Sequence, residues 1–377
     1  MRLIETVEGK ARILLPDPSE YERDGRFDPA WSPVFYNPRM IFNRDLSVVV
    51  VSSISPKSVL DVMSATGVRG IRYYLESEVR GEIIFNDKNP VATELITKNI
   101  ASNGVEKARV ERSDANSLMH RVKVEYTDLD PFGTPAPFLQ AAVSSLRRRG
   151  VLGVTATDLS ALEGKSRNSC KRKYGAFCNK LSFSKEAGLR LLLAKIAMEA
   201  SIVEKGIHPL ITLYRDYYYR IFVRMEDGAK KADNTLEKIG SLYECESCGY
   251  SFMGKGFCDR VCPVCGGSLR SMYPAWIGEL ADVEFLGKVK ELLPRFNYLE
   301  NFPALFKLIG SLTSEQRYGL YYRLDVLSSK LRRNMPSMEE MIKCLGDATR
   351  THFHLQGIKT SKEFHEVLEC IKSSSHG

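Results

Sequence analysis

Between residues 58 and 226 short apolar runs alternate with helix-length stretches, and this alternation restricts the fold more than any other feature of the chain. Residues 58–63, 82–87, 108–111, 122–130 and 150–158 read as strands, while 68–76, 90–101, 136–149 and 184–204 read as helices. Pro90 falls in a helix's first turn, where a missing N–H leaves no bond unmade. Residues 209–215 and 218–226 read as an antiparallel edge. Strands that alternate with helices pack as a mostly parallel sheet covered on both faces. The expectation is an α/β chain built on a Rossmann-like doubly wound sheet.

The flanks carry structure too. Residues 11–15 alternate like a strand, 32–39 form a proline-bracketed loop, and 42–51 pass from amphipathic to apolar as a helix. On its first turn Arg44 and Asp45 read either as a solvated pair or as site residues. Residues 227–233 read as a polar linker. Beyond Trp276 the chain reads as mainly helical, with a capping box of Ser337 and Glu340 and a hairpin over 349–360, a winged-helix-like arrangement.

Five of the nine cysteines crowd into 245–265. Cys245-x2-Cys248 and Cys262-x2-Cys265 stand 13 residues apart, each followed by glycine (Gly249 and Gly266). That is the spacing of a zinc ribbon, four thiolates closing a structural tetrahedral site. Cys258 either substitutes for Cys262 or is a buried thiol. Cys170, Cys178, Cys344 and Cys370 lack partner spacing and read as free core or surface thiols. Crowded metal-type cysteines point to a reducing compartment. No apolar run approaches the roughly 20 residues of a membrane span, and the first residues lack the long apolar core of a signal peptide. A cytoplasmic protein is expected. A net charge of +8 suits a polyanionic partner without identifying one.

The chemistry gathers at strand ends, where open α/β sheets bind ligands. The first turn, Asp61-Val62-Met63-Ser64-Ala65-Thr66-Gly67-Val68-Arg69-Gly70, keeps only two glycines of a dinucleotide fingerprint, so pyrophosphate is poorly served. A small-residue turn with an acid on the strand fits S-adenosylmethionine better, because its amino-acid portion needs no phosphate cradle. Asp87 ends the second strand, where a carboxylate can accept both ribose hydroxyls. Asp114, beside Ala115, could accept the adenine amine. Asp61, Asp87, Asp114 and Asp130 thus fall at or near successive strand ends, a register that solvation alone does not produce. Asp130-Pro131-Phe132 is also the pattern of enzymes that alkylate exocyclic amines of nucleobases. A carboxylate and a carbonyl accept the amine hydrogens while the ring stacks on the base. No cysteine lies between Asp128 and Arg149, which argues against a covalent route to a pyrimidine carbon.

Phe35-Tyr36-Asn37-Pro38 with Asn43-Arg44-Asp45, Ser64 to Gly70, Asp128-Leu129-Asp130-Pro131-Phe132-Gly133, Gly153-Val154-Thr155-Ala156-Thr157-Asp158 and Ala348-Thr349-Arg350-Thr351-His352-Phe353 together resemble the tRNA (guanine-26-N2)-dimethyltransferase family, archaeal type. The resemblance runs over nearly the whole chain. Thr134-Pro135 stand where Ser-Pro is more usual. The resemblance implies that Arg44, Arg69, Asp87, Asp114 and Ala115 contact S-adenosylmethionine, the arginines near its carboxylate end. It implies that Phe35, Asp130, Pro131 and Phe132 form the pocket of a flipped guanine. The organisation expected is an N-terminal extension over 1–57 that contributes to the active site, then a methyltransferase domain over 58–235. A zinc-ribbon-like insert follows over 241–275, and a tRNA-binding domain over 276–377. The partner expected is tRNA and the state a monomer. Residues 164–180 carry six Lys/Arg (165, 167, 171, 172, 173, 180) and no acid. As a loop over the sheet's carboxyl edge they suit phosphates; 323–362, with eight cations against four acids, are a weaker second surface. The rival readings are an amino-methyltransferase acting on another RNA or on adenine, and an RNA-binding module that keeps the fold only as scaffold.

Overall fold

The computed structural model describes residues 1–256 and 261–373. Cys258, the alternative metal ligand, lies outside the described residues.

A hairpin, β1 (Leu3–Glu8) and β2 (Ala11–Pro16), and helix α1 (Ile41–Ile54) precede the sheet. The alternating region then unfolds as β3 (Ser58–Asp61), α2 (Val68–Glu76), β4 (Glu82–Asn86), α3 (Pro90–Ser102), β5 (Ala108–Glu111), α4 (Ala115–Arg121), β6 (Val124–Leu129), α5 (Leu139–Ser144) and β7 (Leu146–Ala156). Short helices α6 (Leu159–Leu162) and α7 (Arg167–Tyr174) and strand β8 (Phe177–Cys178) lead to the long α8 (Ser184–Ile202), followed by β9 (Lys205–Arg215) and β10 (Tyr218–Asp227). The seven-stranded sheet has the order β5-β4-β3-β6-β7-β10-β9. β3 to β7 run parallel, and β10 is antiparallel to both neighbours. Every parallel carboxyl end therefore opens on one edge.

Two apolar cores flank the sheet. On one face α4, α5 and α8 pack; α8 is buried almost all round, which suits a helix in the interior rather than on the surface. On the other, α1 and α2 pack with α10 (Val283–Leu292) and α11 (Phe302–Glu315). Helix α9 (Ala229–Leu236) occupies the stretch expected as a polar linker. It buries Ala232 and Thr235, and the Thr235 hydroxyl accepts the Ile207 N–H at 3.0 Å. Its mostly polar composition hid a two-residue buried face.

The helix expected over 136–149 is also corrected. It stops at Ser144, and Arg147, Arg148 and Arg149 belong to β7, whose Leu146 pairs with Val124 of β6. Arginine favours helix, but burial of Leu146 and the ladder to β6 override propensity; Arg149 takes a positive φ of 58° where the register shifts.

Strands β11 (Ile239–Cys245), β12 (Ser251–Gly254) and β13 (Leu269–Trp276) form a second sheet of order β12-β11-β13-β8. A third joins β14 (Tyr322–Arg323), β15 (Ala348–Arg350) and β16 (Gly357–Thr360). It packs with α12 (Leu324–Leu331), α13 (Met338–Leu345) and α14 (Phe364–Ser373) around one small core. The Ser337–Glu340 capping box forms as expected. The four outlying cysteines are not free thiols. Cys170 pairs with Cys178 and Cys344 with Cys370. Each pair is made by packing, α7 on β8 and α13 on α14, so spacing along the chain carried no signal. Among the described residues no helix is long and apolar enough to cross a membrane.

Candidate active site

A cleft of about 730 Å³ opens over the carboxyl ends of β3, β4, β5 and β6, and the N-terminal segment closes its far side. Phe35, Arg44, Arg69, Asp87, Asp114, Ala115, Asp130, Pro131 and Phe132 all line it. All nine residues expected for cofactor and base thus meet in one cavity.

Its floor is the turn after β3. Gly67 takes φ +80° to open α2, a conformation that any side chain would strain. At Gly70 an added Cβ would lie 2.4 Å from the Phe85 ring, so glycine lets α2 sit down on β4. Asp87 follows β4 and is held at both oxygens, accepting from the Ala65 N–H at 3.0 Å and the Asn89 N–H at 2.9 Å. Asp114 caps α4 by accepting the Ser117 N–H at 3.0 Å, and that bond holds its carboxyl below the usual range. Asn86 was missed from sequence. Its amide donates to Val62 O at 2.9 Å and accepts the Ser113 N–H at 3.1 Å, tying three strand ends together. A lone Asn at a strand end gives no warning of this.

The two arginines are buried and already paired within the chain. Arg44 grips Glu8 through Nε and Nη2, each at 2.6 Å, and donates to Asn37 O at 3.1 Å. Asp45 pairs instead with Arg72 at 2.8 Å, so the solvated Arg44–Asp45 pair weighed from sequence does not exist. Arg72 also holds Glu8 and Glu76. Burial raises the Glu8 carboxyl, but Arg44 and Arg72 prevail and lower it to about 2. Glu8, an alternating residue of a hairpin strand, carried no sequence signal. Charge-assisted contacts of this kind fix α1 against α2 beneath the cleft.

Arg69 donates to Asp130 and, at 3.1 Å each, to Asn43 Oδ1 and Ser47 Oγ; Asp128 lies 3.7 Å from its Nε. The acids two apart in sequence have opposite surroundings. Asp128 is fully buried, receiving Tyr73 and Tyr126 hydroxyls and both terminal nitrogens of Arg220. Burial opposes its charge, yet Arg220 and Arg69 hold it well below the carboxylate range. Asp61, equally buried, is pushed up to about 7 by desolvation and then by the charge of Asp128. Asp130 keeps a quarter of its side chain exposed to the cleft. Phe132 is 70% exposed and stands edge-on to Phe35, ring centroids 4.5 Å apart. An exposed aromatic beside a carboxylate at a cavity mouth offers a stacking face and an acceptor together.

The sulfurs of Cys245, Cys248, Cys262 and Cys265 all lie within 4.8 Å of one another. Cys248 N donates to Cys245 Sγ and Val264 N to Cys262 Sγ, both at 3.4 Å, the amide support expected of paired knuckles. The cluster sits against the C-terminal core, where Cys248 and Tyr250 pack. His352 is not at the cleft. It is partly buried, its imidazole largely covered and Nδ1 3.0 Å from Glu315, a packing role.

A parallel sheet with one antiparallel strand inserted next to its last, over a cleft edged by strand-end acids, is the architecture of S-adenosylmethionine-dependent methyltransferases. Comparison with known proteins narrows the class. Residues 9–372 match the family described as N2,N2-dimethylguanosine tRNA methyltransferase. The tRNA (guanine(26)-N(2))-dimethyltransferase of Metallosphaera sedula is 64% identical over 375 residues, covering 100% of this chain and 98% of its own. That of Sulfurisphaera tokodaii is 51% identical over 373 residues, covering 99% and 100%. A solved Trm1 from Pyrococcus horikoshii in complex with S-adenosyl-L-methionine superposes with a TM-score of 0.87 at 36% identity, covering 98% of this chain and 100% of that one. This chain belongs to the N2,N2-dimethylguanosine tRNA methyltransferase family and is an enzyme of that kind.

Proposed function

We propose that the protein methylates the exocyclic N2 of guanine 26 in tRNA, first to N2-methyl- and then to N2,N2-dimethylguanosine. The observation that carries this reading is the convergence of nine residues, from the hairpin-proximal loop to the end of β6, on one cleft. S-adenosylmethionine supplies an electrophilic methyl group on a sulfonium. The residues that line the cleft fit it: Asp87 and Asp114 would accept from the ribose hydroxyls and the adenine amine, Ala115 would leave the adenine room, and Arg44 and Arg69 would face the carboxylate end. The remaining work falls to the chain. The N2 lone pair of guanine is delocalised into the ring, so the amine attacks only as it rehybridises. Asp130 and the Pro131 carbonyl accept its hydrogens as this happens, and fixed acceptors at the reacting atom lower the barrier by positioning and electrostatics. Asp130 also matches the adjacent N1–H and N2–H donors of guanine. A base reaches such a cleft only out of its stack, at a few kcal/mol; stacking on Phe132, with Phe35 beside it, offsets that cost.

Unmodified tRNA incubated with labelled S-adenosylmethionine and digested to nucleosides is expected to yield labelled N2-methylguanosine and N2,N2-dimethylguanosine, and a transcript carrying adenine at position 26 to yield neither. Label in any other nucleoside would overturn the reading.

The four-cysteine cluster is assigned to structural zinc. Tetrahedral thiolates with bonds of about 2.3 Å place their sulfurs roughly 3.8 Å apart; Cys245–Cys265 at 3.4 Å and Cys248–Cys262 at 3.7 Å match. One zinc per chain is expected by elemental analysis. Cys248→Ser is expected to lose it and to lower thermal stability by several degrees, because Cys248 packs into the C-terminal core. Metal-free protein with unchanged melting would refute the assignment. Exposed cations on α7 and in the segment 323–362, Arg332, Arg333 and Arg350 among them, supply the tRNA surface, in a cytoplasmic enzyme.

A further inference from the structure

The basic segment expected as a loop is partly the helix α7, and its last residue reaches the base-side loop. Cys170 and Tyr174 form its buried face, while Arg167, Lys171 and Arg172 point outward. The Tyr174 hydroxyl, 1% exposed as a residue, donates to Asp158 Oδ1 at 2.8 Å and lies 2.9 Å from Thr134 Oγ1. A phenol has one proton to give. With that proton on Asp158, the Thr134 hydroxyl must donate to Tyr174. The direction of the chain is therefore fixed: Thr134 to Tyr174 to Asp158. Lys173 pairs with the other oxygen of Asp158 at 3.2 Å.

Thr134 is four residues past Asp130, on the same turn. Elsewhere that turn is held by Arg69 at Asp130, and by Gly133 and Thr157, which exchange bonds of 3.0 and 2.9 Å. Helix α7 is in turn anchored behind by the Cys170–Cys178 disulfide, and β8 pairs with β13 of the cysteine-bearing sheet. Tyr174 thus links the helix directly to Thr134.

We propose that Tyr174 is a positioning residue, coupling phosphate contact on α7 to the placement of Asp130, Pro131 and Phe132. It rests on the reading of that loop as the guanine pocket. Small misplacements of catalytic groups are costly, about a hundredfold per ångström in favourable cases. Tyr174→Phe is expected to lower kcat on unmodified tRNA about tenfold or more. The KM for tRNA and the affinity for S-adenosylmethionine should stay within about twofold, since the outward cations and the strand-end acids are untouched.

Thr134→Val should reproduce the loss and Thr134→Ser recover it. The double variant Tyr174→Phe/Thr134→Val should fall no further than Tyr174→Phe alone, because both changes break the same Thr134–Tyr174 bond. Without S-adenosylmethionine, so that no methyl transfer can occur, a tRNA with 2-aminopurine at position 26 reports base placement, and its fluorescence on binding should differ between Tyr174→Phe and the parent. Asp130→Ala is measured alongside. If it turns over normally, the pocket reading fails. If it is inactive while Tyr174→Phe works at the parental rate, or loses tRNA affinity in step with kcat, or adds fully to Thr134→Val, the coupling alone is overturned.

Discussion

Asp130→Ala is expected to abolish methyl transfer, lowering kcat by about two to four orders of magnitude, the range general acid–base groups contribute. Folding should survive. The Asp130 side chain is partly open to the cleft, and Arg69 keeps Asp128, Asn43 and Ser47 when it is removed. No buried charge is orphaned, so the change in thermal stability should be small. Affinity for S-adenosylmethionine, measured by calorimetry, should persist because Asp87 and Asp114 hold their own places through backbone bonds. Asp130→Asn separates shape from charge. It presents one acceptor oxygen and an amide whose donors oppose those of guanine, so its rate should lie near that of the alanine variant. A collapse of cofactor affinity in proportion to the lost rate would remove Asp130 from the base side and place it with the cofactor.

The sheet could be read from sequence because each buried strand is a short apolar run, and each strand-end acid follows one. The four acids come into register through the fold's own geometry: β3 to β6 are parallel, so whatever follows each strand reaches the same edge. What could not be read was everything made by contact between distant segments. Glu8, the last residue of β1, and Arg44 of α1 meet only in the folded chain, and Arg220 reaches Asp128 because β10 inserts beside β7. Hydropathy patterns rank such charged residues as surface, since an isolated buried charge is prohibitive. Only the fold supplies the partner that permits it. The helix drawn through Arg147 to Arg149 failed for the same reason in reverse. Local propensity favoured a conformation that pairing with β6 overrode. The disulfides were likewise invisible, being set by which elements pack.

Asp128→Ala tests the same contrast from the other side, and its expected effect is on the fold. Asp128 and Arg220 are both fully buried, and the two tyrosine hydroxyls donate to the same carboxylate. Forming such a pair gains little over an apolar core, but deleting one partner leaves an uncompensated charge and costs about 3–5 kcal/mol. Here Arg220 would keep the Thr155 and Tyr126 hydroxyls and the Phe222 ring but lose its carboxylate, and Arg69 would lose the buried acid 3.7 Å from its Nε. Chemical denaturation should show the loss directly. Acid dependence provides a second signature. The folded carboxyl is held below its unfolded value, so its contribution is fully present above roughly pH 4. It is lost as pH falls from there towards the folded pKa. In Asp128→Asn, which keeps acceptor capacity but never ionises, that part of the acid slope should vanish. Pairing Asp128→Leu with Arg220→Met should recover part of the loss, since it leaves no uncompensated Arg220 charge, although the Tyr73 and Tyr126 hydroxyls lose their acceptor. Asp128→Ala protein as stable as the parent but unable to methylate tRNA would mean that the buried carboxylate, rather than Asp130, serves the chemistry.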